Sequence, residues 1–312
     1  MNSEASSPGT SDVRPMSSTG GALEQRLDDA PEPSAAVTII LPHRGWFDWR
    51  LGQLWPSRDL IGLFVWRDFV AVYKQTILGP TWHIIRPLLT AITFALIFGR
   101  LAGLSTDGAP GFLFYMAGTV VWTYFATCLD NVSKTFIANA NLLGKVYFHR
   151  LVLPVSVVIS NLVAFGIQLA IFLLILLAYK LRTDAPVHFT AWVLALPVVV
   201  ILLAGYALAG GVIVCALTTR YRDLTYLLTF GTQLLMYLTP VIYPVSAVPP
   251  QYRWLVRLNP LAPLLEAFRR GFLGVGTVSV GDIAVAAVVM MFVLCAGLML
   301  FTHVERTFVD TV

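Results

Sequence analysis

The stretch Arg67-Asp-Phe-Val-Ala-Val-Tyr-Lys74-Gln-Thr-Ile-Leu78-Gly79-Pro80-Thr-Trp82-His-Ile-Ile-Arg86-Pro-Leu88 marks where a polar N-terminal tail turns into a membrane protein. At roughly 100° per residue, Arg67, Asp68, Ala71, Lys74 and Gln75 share one arc of a helix, and Val65, Trp66, Phe69, Val70 and Tyr73 share the other. A helix with a cationic face, aromatic residues opposite and too few apolar residues to span lies at headgroup depth, parallel to the bilayer. Leu78-Gly79-Pro80 then breaks it: Gly permits a sharp turn and Pro opens the next helix. An amphipathic helix on a soluble core would show the same two arcs. The apolar run that follows decides for the membrane.

Working outward, 57% of the 312 residues are hydrophobic and only 12% are charged, far from the usual soluble balance. The basic residues are scattered singly beside apolar runs, so the net charge of +4 reads as topology signals and implies no nucleic-acid partner. Cys128, Cys215 and Cys295 lie in or at the ends of apolar runs with no metal or redox spacing, and read as small core residues. Residues 1–36 are rich in Ser, Pro, Ala, Asp and Glu and hold no apolar stretch fit for a signal peptide, so the tail is expected to be disordered and retained. Residues 1–45 are thus assigned to a cytoplasmic tail, 46–81 to an amphipathic interface segment and 82–312 to the transmembrane domain.

A helix needs roughly 20 apolar residues to cross the hydrocarbon core. Six segments qualify, at about 82–104, 111–129, 154–179, 191–217, 224–243 and 282–302, which predicts an all-α polytopic protein with both termini on one side. With the N-terminus inside, the inner segments hold fourteen of the 21 Lys and Arg, among them Lys134, Lys145, Arg150, Arg220 and Arg222. That excess places both termini in the cytoplasm. All 17 Asp and Glu sit in the tail, in loops or near span ends. Ion-coupled transporters and many membrane hydrolases use intramembrane carboxylates, so their absence argues against both. A phosphate-binding Gly-rich loop is also missing, for Gly144-Lys145 is followed by Val and lacks the upstream Gly. If the chain serves a pump, the motor is another polypeptide.

Three regions could carry mechanism. The inner loop 130–150 can form a short helix that breaks at Gly144 and docks a soluble partner through Leu142, Leu143, Tyr147 and Phe148, with Lys145 and Arg150 as rim charges. A helical connector packed at the headgroups reads equally well. The outer segment 243–281, punctuated by Pro244, Pro249, Pro250, Pro260 and Pro263, predicts short helices over 252–258 and 264–273, a re-entrant hairpin between spans five and six. Glu266, Arg269 and Arg270 could pair there or stay solvated. The third region is a pair of aromatic stripes: Tyr226, Phe230, Gln233 and Tyr237 in the fifth span, and Tyr115, Gly118, Trp122 and Phe125 in the second. Sugars stack on aromatic rings while their hydroxyls hydrogen-bond, so such stripes suit a glycan conduit. They also suit plain packing.

Over residues 46–312 the chain resembles the membrane subunit of an ABC-2 type polysaccharide exporter. The resemblance is carried by Arg67-Asp68, Tyr73-Lys74-Gln75-Thr76-x-Leu78-Gly79-x-x-Trp82, Phe98-Gly99, Gly118 with Trp122-x-Tyr124-Phe125, and Lys145-Val-Tyr-Phe148 with Arg150-x-x-x-Pro154. Tyr221-Arg222-Asp223, Tyr237-Leu-Thr-Pro-Val-Ile-Tyr243, Asn259-Pro260 and Phe268-Arg269 complete it. His149 stands where that family usually has Pro. The resemblance implies a homodimer in the bacterial cytoplasmic membrane, bound to two copies of a separate ATPase subunit. ATP and Mg would be held there, with no cofactor, metal or catalytic residue in this chain. The lipid-linked headgroup would enter at Arg67, Lys74, Leu78, Gly79 and Arg86. The channel aromatics would be Tyr115, Trp122, Phe125, Tyr226, Phe230 and Tyr237; Asn139, Asn141, Leu142, Lys145 and Tyr147 would couple to the ATPase. Pro260, Leu264, Glu266, Phe268 and Arg269 would form the outer gate.

Other classes make different demands. A lipid or drug exporter would share the spans but not need the aromatic faces. A membrane-embedded enzyme would need a clustered constellation, and His43, His83, His149, His188 and His303 are dispersed. A non-transporting scaffold would tolerate loss of an ATPase partner.

Overall fold

The computed structural model describes residues 52, 54–74, 81–143, 145, 148–182, 188–218, 221 and 223–309; the tail 1–45, Leu78, Gly79 and Tyr147 lie outside the described residues. Within them there is no strand. Helix α1 is Arg58–Lys74, α2 Trp82–Phe94 with a π-helical continuation Ala95–Leu101, and α3 Gly111–Ser133. Two single-turn helices follow, α4 Thr135–Ala138 and α5 Ala140–Leu143. Then come α6 Val152–Arg182, α7 Leu196–Thr218 preceded by the 3₁₀ turn Ala191–Ala195, and α8 Leu224–Leu238. The outer segment carries α9 Arg253–Leu258 and α10 Ala262–Leu273, and α11 Val280–Val309 closes the chain.

Among the described residues five helices are long and apolar enough to cross a membrane: Trp82–Leu101, Gly111–Ser133, Val152–Arg182, Ala191–Thr218 and Val280–His303. The segment expected as the fifth of six spans falls short. Its helix has 15 residues, about 22 Å at the usual rise against a hydrocarbon core of about 30 Å. The cause is Pro240, which disfavours helical geometry in the residue before it; Thr239 is extended at ψ 139° and α8 ends at Leu238.

The bundle is built around α3. Of its most apolar stretch 78% is buried, against 22% for α6 and for α11 and 11% for the Trp82–Leu101 segment. Helices α2, α6, α7 and α10 all pack on it, and α11 packs on α7 from the far side. Lipid tails are as apolar as Leu, so helices in a bilayer associate through close backbone approach and polar contacts. Both are present. A methyl group built on Gly211 of α7 would lie 2.5 Å from Val132 Cγ1 of α3, so only Gly lets these two backbones come so near. The Tyr206 hydroxyl of α7 donates to the Ala286 carbonyl of α11 at 2.5 Å. Helix α1 lies on the start of α6, with Phe64 buried beside Val152 and Leu153. Its packed face is centred on Phe64, whereas Trp66, read in sequence as part of the apolar arc, is 67% exposed beside Leu63.

Candidate functional site

Several motif residues, among them Gly118, Asn259 and Arg269, meet at one place, the break at the end of α8. Arg269 of α10 is fully buried, its Nη1 donating to the Pro240 carbonyl at 2.5 Å and its Nη2 to the Val241 carbonyl at 2.6 Å. The guanidinium lies 3.6 Å from the centre of the Phe114 ring of α3. Such acceptors exist because Pro240 stopped the helix, leaving carbonyls with no intrahelical partner. A Cβ on Gly118 would stand 2.7 Å from Arg269 Nη2 and 2.8 Å from the Val241 carbonyl, so Gly118 makes the passage through which the arginine reaches them. Asn259 adds a second tie: its Nδ2 donates to the Thr239 hydroxyl at 2.8 Å, and that hydroxyl donates to the Leu235 carbonyl.

Of the charges expected to pair or stay solvated in this segment, Glu266 and Arg269 of α10 are buried. Leu264, Phe268 and Phe272 are buried, and Phe268 and Phe272 form an aromatic cluster with Phe172 of α6. Pro260 is half-buried at the turn. Glu266 is buried and accepts from the Thr277 backbone N–H at 3.0 Å. Among the described residues no ion pair joins it to Arg269 or Arg270. Arg270 instead donates to the Val278 carbonyl and stacks over Trp192. Burial raises the Glu266 carboxyl above its ordinary pKa, opposed by the charge of Arg269. Burial also lowers the Arg269 guanidinium to about 10, which leaves it charged at neutral pH.

The two aromatic stripes part company. Tyr115, Trp122 and Phe125 of α3 are buried among the chain's own helices, Tyr115 at 0% exposure. Tyr226, Phe230 and Tyr237 of α8 are 81%, 57% and 57% exposed, with Gln233 exposed between them. No residue of α8 is buried.

On the opposite side, α1 meets the loop after α3. Arg67 holds Asp68 at 2.8 Å, donates to Asn139 Oδ1 at 3.2 Å and lies over the Phe64 ring. Two residues read as anchors for a soluble partner, Leu142 and Phe148, pack instead on the cluster of Phe64, Val152 and Leu153. Asn141 and Lys145 remain exposed. Arg86 is exposed and stacks on Trp82; Lys74 closes α1 at its C-terminal end. The structure thus joins Arg67 to Asn139 but does not gather Arg67 and Arg86 into one cluster by any contact.

Sequence reading missed the capture of Arg269 by carbonyls and its dependence on Gly118. Pro240 inside an apolar run was the available signal for the break. The acceptors were not readable, since backbone groups carry no residue identity.

The profile of the ABC-2 type transporter family matches residues 59–273. The chain is 26% identical over 262 residues to an O-antigen export system permease protein RfbA of Klebsiella pneumoniae, covering 84% of this chain and 97% of that protein. It is 29% identical over 223 residues to the protein of the same name in Myxococcus xanthus, covering 70% and 82%. It is 24% identical over 241 residues to the inner membrane transport permease YadH of Escherichia coli K12, covering 76% and 90%. With more than half of its length matched by the family profile and five apolar helices of spanning length, the chain belongs to the ABC-2 type transporter family as a multi-pass membrane protein.

Proposed function

We propose that this chain is the channel-forming subunit of an ATP-driven exporter that moves a polyprenyl-diphosphate-linked polysaccharide, of the O-antigen class, from the cytoplasm to the outer face of the bacterial inner membrane. The observation that carries the reading is the exposed face of α8, where Tyr226, Phe230, Gln233 and Tyr237 offer three rings and an amide to whatever lies opposite. Rings stack on the C–H faces of sugars, and an amide serves hydroxyls. In a homodimer two such faces oppose one another and enclose the conduit, with α8 serving as the fifth membrane crossing and the hairpin lying between it and the sixth. The buried stripe of α3 packs the wall behind it. The O-antigen export permeases among the relatives support this reading.

The remaining parts follow. Two copies of a separate ATPase subunit bind at the inner loop through exposed Asn141 and Lys145, and hydrolyse ATP with Mg; this chain does no chemistry. Arg67, Lys74 and Arg86 meet the lipid diphosphate at the inner interface through charge-assisted hydrogen bonds. Arg67, bonded to Asn139, links that region to the coupling loop. The hairpin α9–α10 closes the outer end, pinned by Arg269. Depletion of the chain in its native host, with newly labelled polyprenyl-linked glycan followed on each side of the membrane, is expected to show accumulation inside and loss outside. Unchanged surface glycan with altered lipid distribution or drug sensitivity would overturn the reading. It would favour a lipid or drug exporter, a reading supported by the burial of the α3 stripe, which halves the aromatic surface a glycan could meet.

A further inference from the structure

Between α9, α10 and the first turns of α11 lies a cavity of about 660 Å³. Its lining includes the apolar side chains of Val256, Pro263, Val285 and Val289. The apolar surface does not end at the cavity: Val285 is 64% exposed, and Val288 and Phe292, at 56% and 73%, carry it on along α11. Four charged groups also line the cavity, Arg253, Arg257, Glu266 and Asp282, the last one turn before Val285 on the same face of α11.

Three of these four are already engaged within the chain. Arg253 donates to the carbonyls of Val248 and Ser246 at 2.9 and 3.2 Å. Asp282 accepts from the N–H and the hydroxyl of Ser279, both at 2.8 Å, at the start of α11. Glu266 accepts from the Thr277 N–H. Arg257 lines the cavity, is exposed, and makes no hydrogen bond or ion pair with any described residue. Around it, Trp254 and Leu258 are 60% and 75% exposed. A short helix showing an aromatic ring and aliphatic side chains beside a guanidinium has the composition of a segment seated at headgroup level.

We propose that this cavity binds a phosphate-bearing membrane lipid, its phosphate on the Arg257 guanidinium and the upper part of one alkyl chain in the trough along Val285 and Val289. The mixed lining, a guanidinium with no partner among the described residues and an apolar stripe that runs on along α11, matches the two halves of such a molecule. A guanidinium offers paired N–H groups that suit phosphate oxygens, and neither carboxylate has to be displaced from its present partner to admit the anion. An alkyl chain entering beside Val285 continues over Val288 and Phe292 with apolar contact throughout.

The test is native mass spectrometry of the purified full chain in detergent. It is titrated separately with dioleoylphosphatidylglycerol, undecaprenyl phosphate and dioleoylglycerol, which lacks the phosphate. Retention of the phosphate lipids is expected to fall about tenfold in Arg257→Gln, to return in Arg257→Lys, and to fall in Val285→Trp. Dioleoylglycerol is expected to bind wild type and Arg257→Gln alike. Stronger retention of undecaprenyl phosphate than of phosphatidylglycerol assigns the site to carrier lipid; the reverse assigns it to bulk phospholipid. Wild-type retention in Arg257→Gln overturns the proposal. So does dioleoylglycerol displacing phosphatidylglycerol at equal concentration, or a crosslink through Val285 showing that a second copy covers the trough. The readout uses no glycan and no ATPase, so failure here leaves the export reading untouched, and failed export leaves this site standing.

Discussion

Helices α3 and α8 each carry aromatic residues along one helical face, yet the first buries them and the second exposes them. Tyr115, Trp122 and Phe125 are 0%, 8% and 5% exposed; Tyr226, Phe230 and Tyr237 are 57% exposed or more. Periodicity establishes that side chains share a face. It says nothing about what the face meets. That is decided by the neighbours: α3 is packed by α2, α6, α7 and α10 as well as by α8, whereas α8 touches the bundle chiefly through α7 and α3 and is cut short by Pro240. A stripe on the central helix is fixed as packing by the fold, and one on a lightly held helix is left available for something outside the chain.

The contrast can be broken most directly at the point that ties the two helices together. Arg269→Ala leaves the Pro240 and Val241 carbonyls without their donor inside a packed site, a loss of about 3–5 kcal/mol by analogy with stripping one partner from a buried charged contact. The expected result is a large drop in thermal stability in detergent and failure to accumulate in the membrane. A variant as stable as wild type would show that the hairpin is held by its apolar contacts alone. The stripes themselves come next. Trp122→Ala should cost about 3–5 kcal/mol as a core cavity, whereas Phe230→Ala should move stability by about 0.5 kcal/mol or less while reducing glycan export. Equal melting temperatures for the two would erase the distinction between packed and available faces.

Gly118→Ala sharpens the comparison at smaller scale. The added methyl meets Arg269 Nη2 and the Val241 carbonyl inside 3 Å, and overpacking of this kind costs about 1–3 kcal/mol. Pairing it with Arg269→Ala should give less than the sum of the separate losses, because both act on one contact. The smallest effect is at Glu266. Its folded pKa is raised by burial, so between the unfolded and folded values the native state holds more protons. Stability is then full below the unfolded pKa and falls as pH rises through the folded one. Glu266→Gln should flatten that fall in melting temperature as pH rises above the ordinary carboxylate pKa; an unchanged slope would assign the dependence elsewhere.

Much of the architecture was legible before any coordinates. The apolar runs at 111–129, 154–179, 191–217 and 282–302 all became long helices, and the proline-punctuated segment 243–281 became short ones as its punctuation implied. Of the 224–243 run only Leu224–Leu238 became helix, because hydropathy averages over Thr239-Pro240 while the proline ends the helix there. In the loop after α3 the packing of Leu142 and Phe148 was one of two readings the sequence left open, and their partner, Phe64, could not be read because it lies on a helix far upstream in the chain. Arg269 was legible as a motif residue but not as a buried one, since its place depends on Phe114 and Gly118, about 150 residues earlier.

The acceptors that hold Arg269 are main-chain carbonyls. Across this contact there is consequently no side chain on the α8 side that could mutate to match a change in the arginine. A descendant that loses the guanidinium can compensate only by reshaping the space at Gly118 or by continuing the helix through position 240. Searches for positions that vary together should therefore find Arg269 linked to 118 and 240, residues it needs for room and for a break, rather than to any partner of opposite charge.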